Sequence, residues 1–275
     1  MQAGFSIDDP IVAGLLTLLH ADPPAGDLAA TLDMDAAQWA SVLALAADEH
    51  VHTYLYWNLQ RLGSLSALPE SMCSQLHASY MGNAARNRVL LHSVEQILTA
   101  FAARDLPVIV LKGTYLVDQI YPTSGARAVG DTDLLVPPDR IAEARAVLEN
   151  LGYAASEPFS AVSLTVHRHL GVYRRAGHLV ELHHELMDAH APMPVPVAEI
   201  WQRSVHATVA GCHAMILAPE DQLLHLCIHG TIQHQLRFDM RFLTDIAVYS
   251  DYSAQQLDWH ALVARVRRLG WRRAG

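Results

Sequence analysis

Asp131 and Asp133 stand two residues apart in Gly130-Asp131-Thr132-Asp133-Leu134-Leu135-Val136, at the head of an apolar run that predicts a strand over 131–136. Alternate side chains of a strand share a face, so the two carboxylates project together while Thr132 points the other way. Two carboxylates on one face repel each other unless a cation lies between them. Hard cations such as Mg²⁺ take oxygen ligands, and often one or two carboxylates plus substrate phosphates complete the shell. The pair is weak evidence alone, because an exposed turn carries the same letters.

Two neighbours add to it. Val110-Leu111-Lys112-Gly113-Thr114 places Lys112-Gly113 at an expected strand-to-helix turn. Backbone N–H groups there favour a phosphate, Gly113 permits close approach, and Lys112 adds a point charge. Downstream, Glu181 is the one acid in Leu179-Val180-Glu181-Leu182-His183. It is expected to face the carboxylates of a neighbouring strand and could bridge a second metal; an acid at a sheet edge paired with an arginine would look the same. Arg127 could bind phosphate or form a salt bridge holding the turn at 124–126.

These residues need a sheet to carry them. Residues 1–104 read as a helical N-terminal region: Ile11, Leu15, Leu18 and Leu19 form one stripe, and Trp39, Val42, Leu43 and Ala46 form another behind an Asp35 N-cap. A long helix is expected over 69–104. From about 105 to 195 strands and helices alternate: a strand at 107–111, a helix at 113–121, the strand at 131–136 and a helix opened by Pro137-Pro138. A hairpin is expected to join 164–174 to 178–184 around Ala176-Gly177. Residues 196–275 add a β pair at 205–209 and 213–217, then helices at 219–235, 240–250 and 257–269. The helix-like pattern is unfinished at Gly275, so the chain is expected to continue.

In this order the residues resemble an uncharacterised nucleotidyltransferase family of the DNA polymerase beta nucleotidyltransferase superfamily, with an LKG…Y…R…GDxDLLV signature. The matching positions are Leu111-Lys112-Gly113, Tyr121-Pro122, Arg127 and 130–136, followed by Leu151-Gly152-Tyr153, Val180-Glu181-Leu182-His183 and Ile228-His229-Gly230. They span most of 105–250. The resemblance implies an α+β fold, with a small mixed β-sheet core over 105–195 flanked by helical regions. It also implies that Asp131, Asp133 and Glu181 form the metal triad. Lys112-Gly113 would stand where the superfamily has a Gly-Ser phosphate turn; the serine is missing and Thr114 comes one position late. Triphosphate contact is then expected from backbone amides, Lys112 or Thr114. The implied chemistry is two-metal transfer of a nucleoside monophosphate from a nucleoside triphosphate, with Mg²⁺ (or Mn²⁺) as cofactor and pyrophosphate released. The segment around Asp245 would close over the nucleotide, with Asp245 contributing; Asp239 reads as an acid at a helix N-terminus.

Seventeen histidines raise the question of zinc. His167 and His169 share a strand face and could come near His183, making either a zinc site or, preferably, contacts to substrate. His225 and His229 lie four apart on a helix, but no HExxH pattern is present, so packing against the site wall is the better reading, with His229 also a candidate substrate contact. Cys73, Cys212 and Cys227 match no zinc or redox spacing and read as small buried residues.

The composition narrows the partners. The net charge of −9 disfavours a long nucleic-acid acceptor, so the expected acceptor is a small molecule, peptide or protein. Arg265, Arg267, Arg268, Arg272 and Arg273 crowd the end and read mainly as a solvated face. No apolar run reaches the roughly 18 residues that span a bilayer, so no membrane partner is expected. The acidic N-terminus lacks a signal-peptide charge pattern, which makes the cytoplasm the expected location. Two other functions share some of these features. A DxD glycosyltransferase would use a sugar nucleotide with Mn²⁺, but needs neither the Lys-Gly turn nor Glu181. A non-catalytic nucleotide-binding protein could keep the same fold.

Overall fold

The computed structural model describes residues 6, 8–156, 168–188, 195–230 and 240–270. The chain is an α+β protein whose mixed sheet is flanked by helices.

The N-terminal part is helical through α1 (Pro10–Leu19), α2 (Ala25–Leu32), α3 (Ala36–Asp48), α4 (His52–Arg61) and the long α5 (Glu70–Ala102). Asp35 caps α3 as its position suggested, and Gln38 reaches back to complete a capping box. Leu15, Leu18, Trp39, Val42 and Ala46 interlock in a separate apolar cluster with Leu55 and Leu59. The spacing predicts an apolar face along α5, and Leu76, Val94, Ile97 and Leu98 are buried there; two asparagines, Asn83 and Asn87, are buried on the same helix.

Seven strands are described: β1 (Ile109–Val110), β2 (Thr132–Leu135), β3 (Ala154–Ala155), β4 (Tyr173–Arg175), β5 (His178–His183), β6 (Val205–Val209) and β7 (Cys212–Ile216). They form one sheet in the order β3-β4-β5-β2-β1-β7-β6. β2 runs parallel to β5 and antiparallel to β1, and β1 runs parallel to β7. The sheet thus draws strands from both sides of residue 195. The β4–β5 hairpin turns at Ala176-Gly177 as expected, whereas β3 was not anticipated. Residues 164–167 of the expected first hairpin strand lie outside the described residues.

Alternation along β1 and β2 splits the sheet's two faces. Val110, Leu134, Val180 and Leu182 join the main core with Val94, Ile97 and Phe101 of α5 and Leu148 of α7 (Ile141–Asn150). Ile109, Leu111 and Leu135 instead pack on Leu186, Ile200 and Leu217. Asp133 shares the face of Leu135 by the two-residue period, so the acids lie on the less covered side.

The expected helix over 113–121 is a four-residue α6 (Lys112–Tyr115) that widens into a π turn over Leu116–Ile120. Beyond the sheet lie α8 (Val197–Arg203), α9 (Pro219–Ile228), α10 (Met240–Tyr252) and α11 (Trp259–Arg268). The arginines of α11 are partly used inside the molecule: Arg265 pairs with Asp221 of α9 and Arg268 with Glu199 of α8. No helix among the described residues is long and apolar enough to cross a membrane.

Candidate active site

Asp133 lies directly opposite Glu181 in the parallel β2–β5 register, and Leu135 lies opposite His183. This pairing puts the side chains of Asp133, Glu181 and His183 on one face. One ligand atom from each lies within 4.8 Å of the others. His183 Nε2 is 2.7 Å from Asp133 Oδ1 and 3.4 Å from Glu181 Oε2. His169, bridged across to His183, brings its Nε2 to 3.8 Å from Glu181. His167 lies outside the described residues, as does Asp239.

Asp131 precedes β2 and is half-buried beside this group. Burial, then the charges of Asp133 and Glu181, push its carboxyl up from 3.8 to about 6, against the pull of Lys112 and Arg127. Asp133 goes the other way. Burial alone would raise it, but the Lys112 ammonium and His183 hold it well below the usual carboxylate range. Glu181 is also lowered: burial opposes ionisation, but the hydrogen bond from His183 outweighs it.

Lys112 occupies a left-handed backbone conformation at φ 45° and extends its Nζ to 3.0 Å from Asp133 Oδ1, both groups buried. A non-glycine residue in that region is strained, and here the strain delivers a cation to the carboxylate face. Gly113 follows it because there is no room for more: a Cβ would sit 2.6 Å from Arg127 Nη1. Thr114 is fully buried and donates to the Thr132 hydroxyl at 3.3 Å. Thr132 in turn meets His178 Nε2 at 2.9 Å, and the other nitrogen of His178 meets Tyr153 OH at 2.7 Å. This buried chain runs along the helix-packed side of β2, so the Thr114 hydroxyl is committed away from the acids. Burial and the nearby Arg175 lower His178 to about 4, which keeps the imidazole neutral.

Arg127 is buried in a two-pronged ion pair, with Nε and Nη2 each 2.7 Å from one oxygen of Asp245. Tyr121 OH donates to the same Asp245 at 2.7 Å. Of the two readings left open for Arg127, the structure shows a salt bridge, but to α10 rather than to the turn at 124–126. That turn is held from the N-terminal helices instead. Asn87 Nδ2 donates to the carbonyls of Ser124 and Arg127, Asn83 to that of Gly125, and Thr53 to that of Ala126. The Tyr80 ring lies where a Cβ on residue 125 would fall, 2.6 Å away, so Gly125 is required for the approach. Sequence reading missed Asn83 and Asn87. Their signal was present: two polar residues four apart within an apolar helix stripe.

His225 of α9 is fully buried near Lys112; burial and then that ammonium drive it well below its ordinary value. His229 stacks on His225 at 6.2 Å and meets the Phe242 ring edge-on. A cavity of about 750 Å³ bounded by Tyr54, Trp57, Leu243 and Tyr252 reaches Ile120 and Pro122, and Asp131, Asp133 and Glu181 do not line it.

A family model described as an uncharacterised nucleotidyltransferase matches residues 35–274. The chain belongs to that family. Among solved structures, the solution structure of the antibiotic-resistance factor ANT(2'')-Ia is 17% identical with a TM-score of 0.47, over 66% of this chain and 93% of that one. A crystal structure of ANT(2")-Ia in complex with adenylyl-2"-tobramycin is also 17% identical, with a TM-score of 0.45 over 65% and 97% of the two chains. An antigenic nucleotidyltransferase-like protein from Paracoccidioides brasiliensis is 15% identical, with a TM-score of 0.38 over 65% and 88%. No curated protein matches the chain. The family match, not these distant likenesses, decides the assignment. For a nucleotidyltransferase, a half-buried group of acids that repel one another and meet an imidazole is a donor set suited to a divalent cation.

Proposed function

We propose that this nucleotidyltransferase is metal-dependent and moves a nucleoside monophosphate from a nucleoside triphosphate to a small-molecule, peptide or protein acceptor. The acceptor's nucleophile attacks the α-phosphorus, the bond to the bridging oxygen breaks, and pyrophosphate leaves. The observation that supports this reading is Asp133 facing Glu181 in the β2–β5 register, with Asp131 just before β2 and within reach of both charges. Asp131, Asp133 and Glu181 would hold Mg²⁺ or Mn²⁺. Bound there, the cations would neutralise phosphate charge and favour ionisation of the attacking group.

The protein's own groups then have distinct tasks. Lys112 Nζ lies 3.0 Å from Asp133, and with a cation held by the acids it would be available to the triphosphate. Gly113 makes room for the Arg127 guanidinium beside it, so phosphate contact at this turn would come from Lys112 or backbone N–H groups. Arg127 has both prongs on Asp245, so we assign it to steadying the turn under Asp131. His183 fixes the orientation of Asp133. In this picture residues 105–195, with the β6–β7 hairpin beside β1, form the catalytic core between helical N- and C-terminal regions.

Thermal unfolding with each nucleoside triphosphate, with and without Mg²⁺, tests the proposal. Ligand at 100 times its Kd adds about 2.7 kcal/mol, or roughly 5–10 °C for a protein of this size. The rise should need metal and vanish in Asp131→Ala combined with Asp133→Ala. A preference for a sugar nucleotide with Mn²⁺ would point instead to glycosyl transfer, and metal-independent stabilisation would point to simple nucleotide binding.

A further inference from the structure

We propose that His183 is itself a metal ligand, so that the cation between Asp133 and Glu181 sits in a mixed nitrogen-and-oxygen site that prefers a first-row transition ion to Mg²⁺. The inference rests on the metal-dependent reading above and adds to it the ligand and the class of ion.

The geometry is already close to that of a coordination shell. Neighbouring ligand atoms on a six-coordinate ion with bonds near 2.1 Å stand about 3 Å apart. His183 Nε2 is 2.7 Å from Asp133 Oδ1 and 3.4 Å from Glu181 Oε2, so small adjustments would close all three on one ion. The strand enforces the arrangement, because Glu181 and His183 lie two apart on β5 and Asp133 faces Glu181 in register. His183 is fully buried and cannot swing away, while Glu181 is 18% exposed and leaves a path to solvent.

Nδ1 of His183 is buried and has no hydrogen-bond partner among the described residues. Coordination through Nε2 would put the ring proton on Nδ1 and leave a buried donor without a partner there, a cost that the bond to the ion has to outweigh. Imidazole binds later first-row ions far better than it binds Mg²⁺, which favours oxygen and water. His169 offers a second nitrogen nearby, 3.8 Å from Glu181, but it is 26% exposed and does not reach Asp133 in any described contact.

The test is pulsed electron paramagnetic resonance on the full chain loaded with Mn²⁺ alone, read for imidazole nitrogen coupling. The expected result is coupling in the wild type and in His169→Gln, and none in His183→Gln. Mn²⁺ should also bind at least roughly tenfold tighter than Mg²⁺, an advantage that His183→Gln reduces. If His183→Gln does not fold, His183→Asn takes its place, and the coupling is again expected to disappear. Bound Mn²⁺ without nitrogen coupling, or coupling that disappears in His169→Gln, overturns the inference and leaves the metal-dependent reading standing. Failure of the wild type to bind Mn²⁺ at all, even with a nucleoside triphosphate present, overturns both.

Discussion

Asp131 carries the clearest titration signature of the site. Its folded value of about 6 lies above the ordinary 3.8, so folding favours its protonated form. The stability this supplies is complete below about pH 4 and is lost as pH rises through 6. At pH 7.5 the metal-free protein therefore holds an ionised carboxylate against two others. In chelator, Asp131→Asn should be more stable than wild type at pH 7.5 by roughly 2–3 kcal/mol, given about 1.4 kcal/mol per unit. Urea unfolding at pH 7.5 and pH 4 checks this, because the gap must close at the lower pH. Saturating metal should reverse the order. The closeness of Asp131 and Asp133 is legible in the sequence because a two-residue spacing is a local property. The grip of His183 on Asp133 is not, since it depends on a register between strands 50 residues apart.

Between elements, the first part of the loop from Tyr121 to Asp131, over residues 121–127, is held by groups distant in sequence. Asn87 of α5 takes two of its carbonyls, so Asn87→Ala should cost about 1–3 kcal/mol by leaving buried acceptors unpaired. It should also weaken metal binding, because the loop leads into β2. Asp245→Ala removes the partner of a buried guanidinium and of Tyr121 OH, and should cost about 3–5 kcal/mol. Replacing Arg127 by Met in the same chain should recover part of that loss, which thermal or urea melts of the single and double variants will show. The extent of α5 was legible, with Pro69 at its start and an apolar stripe along it. Its asparagines were not, because a polar residue inside a stripe gives no hint of which carbonyls it will meet. Arg127 and Asp245 likewise lie 118 residues apart, and only the packing of α10 brings them together.

At the scale of the whole molecule, the change from helical stripe to alternating strands near residue 105 was readable, and the α+β architecture followed from it. The β6–β7 hairpin was also readable as a pair, but its attachment beside β1 was not, because a parallel contact needs only one short register. In the proposed function, metal links the carboxylates to the nucleotide. Calorimetric titration of a non-hydrolysable nucleoside triphosphate analogue into wild type and Glu181→Gln, in Mn²⁺ and in chelator, tests that link directly. Glu181 is partly exposed, so its variant should keep the fold. The predicted result is binding by the wild type in Mn²⁺ that weakens roughly a hundredfold, about 2.7 kcal/mol, in chelator and in Glu181→Gln. Equal binding with and without metal, or unchanged metal-dependent binding in Glu181→Gln, would contradict it.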